Sequence, residues 1–314
     1  MGGFPILQLP SKPLREILQI MDFNEIVGIS FTSTYAKLLV KSLNVTLSYI
    51  FVRMGAGIRI EIVRHDRRQS IFIFSVDKSN RTEQVFDNLR TFIDYILEIF
   101  HQSKINMLMI NGSNYDFQSI KEEFKNLDMQ GLYLTSYFME DIEFHKKIAK
   151  DYSQHFNELI LENNFLESRK FQTAISSNFK AIQLWDRFTV KLEDVIVSNS
   201  YQISVSKPLP PTDICLFLKH WINGSNQQLE FFFTRLSAGV DRNKFISTAL
   251  NGIGHQIAPI NRKRVFVPCV YRWYDKNIEV KGGFDIQRND GTQATVTLAI
   301  EAGRTWCLKL FVWK

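Results

Sequence analysis

An apolar-x-apolar triplet recurs six times through the middle of this 314-residue chain. The copies are Leu108-Met109-Ile110, Leu132-Tyr133-Leu134, Leu159-Ile160-Leu161, Ile182-Gln183-Leu184, Ile203-Ser204-Val205 and Leu229-Glu230-Phe231, at intervals of 21 to 27 residues. Period two within a triplet predicts a strand whose flanking residues face one way and whose middle residue faces the other. Helical spacing fills several of the gaps: Phe117, Ile120, Phe124 and Leu127; Leu192, Val195 and Ile196; Ile214, Phe217, Leu218, Trp221 and Ile222 after Pro210-Pro211-Thr212; Phe245, Ala249 and Ile253. A helix between two strands is a crossover, and it makes the strands parallel.

A strand-plus-helix unit of 20–29 residues is the leucine-rich-repeat period. Only Leu159-Ile160-Leu161-Glu162-Asn163-Asn164 carries the asparagine that usually follows the strand. The expected fold class is therefore α/β, with a degenerate leucine-rich-repeat-like strand/helix solenoid at its centre. The competing architecture is an ordinary α/β domain with evenly spaced strands and both sheet faces covered. Before the repeat, Val45–Val52, Ile58–Val63 and Ile71–Val76 read as a β-meander, and a helix is expected from about Thr82 to His101 on Val85, Leu89, Phe92, Ile96, Ile99 and Phe100. After it, antiparallel strands are expected at Val265–Tyr274, Phe284–Gln287 and Thr295–Ile300, with a turn at Asn289-Asp290-Gly291. In the last strand Trp306, Leu308, Leu310 and Val312 alternate, which predicts one buried face. This antiparallel region is expected to cap the end of the repeat.

The first forty residues read as a small three-helix module. Ser11 offers an N-cap hydroxyl and Pro13 suits a first turn. Leu14, Ile17, Leu18 and Met21 hold the spacing of one helical face. A turn at Asp22-Phe23-Asn24 leads to a helix with Ile26, Val27 and Ile29. Thr32 or Ser33 caps a third with Tyr35, Leu38, Leu39 and Leu43 on one side. Three such short helices cannot bury all that apolar surface among themselves, so the surplus needs a partner, either the rest of the chain or another protein.

Phe4-Pro5-x-Leu7-x-Leu9-Pro10, Ile17-Leu18-x-x-Met21-x-x-x-Glu25-Ile26 and Ile29-Ser30-x-x-Ser33 resemble an F-box. More narrowly, they resemble the F-box of the large nematode group whose second half is a type 2 F-box-associated domain. Phe217-Leu218-Lys219-His220-Trp221-Ile222-Asn223-Gly224-Ser225-x-x-x-Leu229-Glu230 is similar to that domain's central signature. Phe284-Asp285-Ile286-Gln287-Arg288-Asn289-Asp290-Gly291-Thr292-x-Ala294-Thr295, with Val312-Trp313, is similar to its closing one. The resemblance implies an F-box at 4–44 and a substrate-recognition domain at 45–314, with a repeat-like core at about 71–255 and a β cap at about 262–314. It implies docking onto the Skp-type adaptor of a cullin-based ubiquitin ligase, with Leu9, Pro10, Leu14, Ile17, Leu18, Ile26 and Ile29 as the docking surface. A protein substrate would then bind the second domain. The middle residues of the triplets are Met109, Tyr133, Ile160, Gln183, Ser204 and Glu230. Of these, Tyr133, Gln183, Ser204 and Glu230 are the substrate-binding candidates, with Trp185, which directly follows the fourth triplet.

Chemistry-bearing patterns are missing. The six histidines are scattered, the three cysteines (Cys215, Cys269, Cys307) are widely spaced, and neither type shows metal-ligand spacing. The cysteines read as buried free thiols in a reducing compartment. No phosphate loop or nucleophile elbow is present. No enzyme, metal or cofactor is expected. His220, beside Trp221, reads as a helix histidine near the surface. Glu122-Glu123 and Glu140-Asp141 read as solvated faces, and Arg64-His65-Asp66-Arg67-Arg68 and Arg262-Lys263-Arg264 as loop solubility. No signal peptide or run of about 18 apolar residues is visible, so a cytoplasmic or nuclear protein without a membrane span is expected. The net charge of +6 and the many aromatics leave one alternative, a nucleic-acid-binding or sensor module with a vestigial F-box.

Overall fold

A computed structural model describes residues 6–55, 57–64, 69–74, 89–112, 117–135, 143–145, 147–148, 156–162, 179–185, 190–268, 277–301 and 305–314. The chain divides into two compact units, residues 1–132 and 133–314.

The first unit opens with helices α1 (Ser11–Ile20), α2 (Phe23–Ser30) and α3 (Thr34–Ser42). Helix α1 starts one residue earlier than expected. Pro10 holds the N-cap position with no side-chain cap, and its carbonyl accepts from the Leu14 amide at 3.0 Å. Ser11 is thus inside the helix rather than its cap. Phe23 and Asn24 are helical too, because Asp22 takes the N-cap and its amide donates to Glu25 at 3.0 Å. Ser33 caps α3 by accepting from the Ala36 amide at 3.1 Å. The buried face of α3 is Ala36 and Val40 with Leu43 beyond, whereas Tyr35 and Leu38 point outward. The expected face is therefore rotated: small Ala36 lets α3 approach its neighbours, and the larger side chains are left outside.

Strands β1 (Leu47–Met54), β2 (Ile58–Arg64) and β3 (Gln69–Phe74) form the expected antiparallel meander. Helix α4 (Leu89–Ile99) returns the chain so that β4 (Lys104–Asn111) pairs parallel to β1. The expected first turns of α4, residues 82–88, lie outside the described residues. Helix α5 (Phe117–Glu123) follows, with Ile120 and Phe124 buried. The N-terminal helices pack on α4. Phe23 meets Phe100 at 4.8 Å and Phe31 meets Tyr95 at 4.7 Å between ring centroids. The Tyr95 hydroxyl donates to Ser30 at 2.8 Å, and Lys37 and Lys41 both pair with Glu98. Strand β5 (Asp128–Thr135) straddles the division between the units.

In the second unit, β6 (Glu158–Leu161), β7 (Ala181–Leu184), β8 (Gln202–Val205) and β9 (Phe231–Arg235) are parallel neighbours in that order. Between them run α6 (Leu192–Val197) and α7 (Pro211–Ile222), and α8 (Arg242–Ala249) follows β9. Pro211 sits at the first position of α7, where no N–H is needed. Phe217 of α7 packs on Phe232 with centroids 4.5 Å apart, which places the helix against the face opposite the middle residues. Ile160, Gln183, Ser204 and Phe233 are register partners across four strands. The sixth triplet is therefore misplaced. Residues 232–234 align with Ile203-Ser204-Val205, and Glu230 precedes the strand. A run of three phenylalanines hides that register, because it has no alternation.

The antiparallel strands are β10 (His255–Phe266), β11 (Ile278–Gln287), β12 (Gln293–Glu301) and β13 (Thr305–Trp313). They pair in sequence, and β13 joins β9. Strand β10 lies earlier than the expected Val265–Tyr274, of which residues 269–274 are outside the described residues. It contains Pro259, which is tolerated because β10 is an edge strand. Lying between β12 and β9, β13 is buried on both faces: Leu308 and Leu310 on one, Cys307 and Phe311 on the other. The single buried face expected there is thus corrected by its central position. Phe266 of edge strand β10 lies 5.8 Å from Phe231 and 5.2 Å from Phe311, although β11 and β12 intervene. The sheet end therefore rolls over the face opposite α7 and closes an aromatic cluster of Phe231, Phe233, Phe266 and Phe311. Among the cysteines, Cys215 and Cys307 are buried free thiols, and Cys269 lies outside the described residues.

Candidate functional site

Two surfaces could carry recognition. The first is on the N-terminal helices. Leu14, Leu18 and Ile26 are completely buried within the chain. This corrects their place in the docking surface: apolar spacing marks a face that must be covered, and here the chain covers it. Leu14, Leu18 and Leu43 form a core against which Leu9 and Ile29 also pack. Leu9, Ile17 and Ile29 remain half-buried and Pro10 is exposed. Sequence reasoning passed over Ile20, and it placed Tyr35 and Leu38 on one side of the third helix with Leu39 and Leu43. All three are exposed, at 73%, 59% and 60%.

The second surface is the side of the second unit's sheet opposite α7, at the C-terminal ends of β5, β6 and β7. Tyr133 and Trp185 come together there, with ring centroids 6.4 Å apart and planes within 12° of parallel. Glu162, the residue after β6, accepts from the Tyr133 hydroxyl at 3.0 Å and from the Thr135 hydroxyl. Gln183 and Ser204 are half-buried register partners in the adjoining row. Met109 and Ile160, the apolar middle residues, are buried. Glu230 is not part of the cluster. It lies before β9, at the opposite end of the strands, where it pairs with Lys314. Glu162 and Thr135 are the residues that sequence reasoning missed. Glu162 was visible only as the polar residue following a triplet.

The rolled edge carries a further polar group. Arg262 holds Asp285 with both terminal nitrogens, and Asp285 accepts from the Thr295 hydroxyl at 2.7 Å. The Thr295 hydroxyl oxygen in turn accepts from the Trp313 indole at 2.8 Å, and the Arg264 guanidinium lies 3.8 Å from the centre of the Trp313 ring. The hydrogen bond from Arg262 keeps the Asp285 carboxyl below its usual range, with the Thr295 hydroxyl reinforcing and burial opposing. Burial and the neighbouring Arg262 lower Arg264. These arginines are fixed within a strand, which corrects their reading as loop solubility. All of these partners are internal, so the group acts as a brace.

The motif residues of α7 and the closing hairpin also meet. The Arg288 guanidinium lies 5.5 Å from the Trp221 ring, the Asn289 amide donates to the Ile222 carbonyl at 3.0 Å, and Asn289 donates to Asn223 at 3.2 Å. Asn226 donates to the carbonyls of Val195, Ile196 and Ser198, which satisfies the open end of α6.

Residues 6–48 match the F-box domain family, and residues 170–233 match the F-box associated family. The chain carries an F-box and an F-box-associated domain. An F-box associated domain-containing protein of Caenorhabditis elegans, sdz-33, is 25% identical over 307 residues, covering 93% of each chain. No solved structure matches. The matched F-box covers α1, α2 and α3 and the start of β1. The matched part of the F-box-associated domain includes Gln183, Trp185, Ser204 and Trp221, while Tyr133 and Glu162 precede it. Among the described residues, no group of three or more His, Cys, Asp or Glu could hold a metal ion, and no helix is long and apolar enough to cross a membrane.

Proposed function

We propose that this chain is a substrate-recruiting adaptor of a Skp/cullin/F-box ubiquitin ligase. Its F-box binds the Skp-type adaptor, and through it a cullin. Its second unit holds a protein substrate on the side of a degenerate repeat-type sheet opposite α7. The chain does no chemistry itself; it raises the local concentration of substrate near the transfer machinery. The observation that carries this reading is the set of large apolar side chains left outside on matched F-box helices, Ile20, Tyr35 and Leu38. Their exposure calls for a partner with a complementary apolar surface. Exposed Pro10 and the half-buried Leu9, Ile17 and Ile29 of the expected docking set join them, whereas Leu14, Leu18 and Ile26 support the helices from within.

The test is a titration of the purified chain with a Skp-type adaptor. Leu38→Asp, and separately Leu9→Ala with Pro10→Ala, should each weaken binding by about 2 kcal/mol or more without loss of the melting transition. Undiminished affinity in both variants refutes the docking surface. Retention that collapses as salt rises would instead favour a nucleic-acid partner.

A further inference from the structure

Strand β10 ends the order of the sheet, with β11 on its inner side. An edge strand turns every second backbone N–H and C=O outward, where another strand can pair with them. Along this edge Ile257, Ile260 and Val265 are 76%, 86% and 59% exposed. All three lie in the continuously described stretch 190–268. Between Ala258 and Lys263 the register with β11 shifts, and Pro259 lacks a donor, so the edge is interrupted rather than long and flat. We propose that β10 accepts a short extended segment of another protein as an added strand, one in which an acidic residue stands two positions from an apolar one. The proposal goes beyond the adaptor reading and does not rest on it.

Charge and period select this occupant. Lys263 and Val265 share one face of the strand, because side chains alternate. Lys263 stands opposite Lys281 of β11, and Glu279 pairs with both, at 3.4 and 2.9 Å. One carboxylate thus serves two ammonium groups, and this face keeps a positive excess. An acidic residue set beside Lys263 from the open side balances it, and an apolar residue two positions along then lies beside Val265. Within the same basic run, Asp285 already holds Arg262, and Arg264 lies on the Trp313 ring. Lys263 is therefore the member left to meet a partner. A second copy of this chain fits less well. Two copies each carry a net charge of +6, and the interruption at Pro259 denies two β10 strands a continuous ladder.

The test is an anisotropy titration of the full chain at low salt. The probe is fluorescein-labelled Thr-Val-Thr-Glu-Thr-Val-Thr amide, whose glutamate has a valine two positions away on either side. One control carries lysine in place of glutamate. The other is the glutamate peptide N-methylated at two adjacent central residues, which blocks both of its edges. The glutamate peptide should bind saturably and raise hydrogen-exchange protection in β10. Each control should bind at least about fivefold more weakly, the scale of one cross-strand pair turned from attraction to repulsion or of a lost backbone hydrogen bond. Lys263→Glu should reverse the preference between the glutamate and lysine peptides. No saturable binding, equal binding of those two peptides, indifference to N-methylation, or protection elsewhere than β10 overturns the proposal. So does a chain that dimerises through β10 and excludes the peptide. The unaltered chain decides even if Lys263→Glu fails to fold. No Skp-type adaptor enters these measurements, so adaptor binding and strand addition stand or fall separately.

Discussion

Gly283 and Gly291 both lie at positive φ, +102° and +93°, yet they serve different purposes. At Gly291 a Cβ would meet nothing within 4 Å, so only the backbone conformation demands glycine. The Arg288 amide donates to the Thr292 carbonyl at 2.8 Å and the Gly291 amide to the Arg288 carbonyl at 2.9 Å, which closes a short hairpin. At Gly283 a Cβ would come within 2.7 Å of both the Thr295 methyl and the Val296 carbonyl oxygen. Gly291→Ala should therefore cost about 1–2 kcal/mol, the penalty of the left-handed region, and Gly291→Val more, since a β-branched residue resists positive φ further. Gly283→Ala should cost clearly more than Gly291→Ala, because the same backbone strain is joined by collision with a fixed strand. Chemical denaturation of the three variants checks the order, and a Gly283→Ala no worse than Gly291→Ala would contradict it.

The braced edge formed by β10, β11, β12 and β13 should carry a pH signature. Asp285 has a lowered pKa in the folded state, so the stability it lends is present above the ordinary carboxylate range and lost as pH falls through its depressed value. Asp285→Asn should lower the melting temperature at neutral pH, and the gap to the unaltered chain should close progressively under acid. A gap that persists unchanged in acid would mean that the carboxylate's charge contributes nothing. This brace was hard to read in sequence. Pro259 and the polar run from Asn261 to Arg264 argue against a strand, and only the position of β10 at the sheet edge makes them acceptable. The meander, the parallel triplets and α7 were legible because alternation, crossover spacing and Pro211 each have one local meaning. The direction of α3 was not legible, since Tyr35 and Leu38 share helical spacing with Leu39 and Leu43, and spacing does not say which neighbours fill the interior. At the candidate site, Tyr133 and Trp185 followed from strand periodicity and position after a triplet. Glu162 did not, because its role depends on hydroxyls from a neighbouring strand. Glu230 failed because the phenylalanine run concealed a register three residues further along.

The first unit joins the F-box helices to α4, so a boundary at residues 44/45 cuts through packed aromatic and ionic contacts. Removing residues 1–44 would uncover Tyr95 and Phe100 and leave Glu98 without Lys37 and Lys41. Residues 45–132 in such a truncation should lose protection in hydrogen exchange and become sensitive to limited proteolysis; native-like protection there would show that the helices are a separable module. The second unit contains a different kind of junction. Trp221 and Asn223 at the end of α7 meet Arg288 and Asn289 of the hairpin, although the two segments lie more than sixty positions apart. That junction ties two distant stretches of sequence into one structural unit. A replacement of Arg288 changes what Trp221 must be, so lineages that lose one should be found to have altered the other.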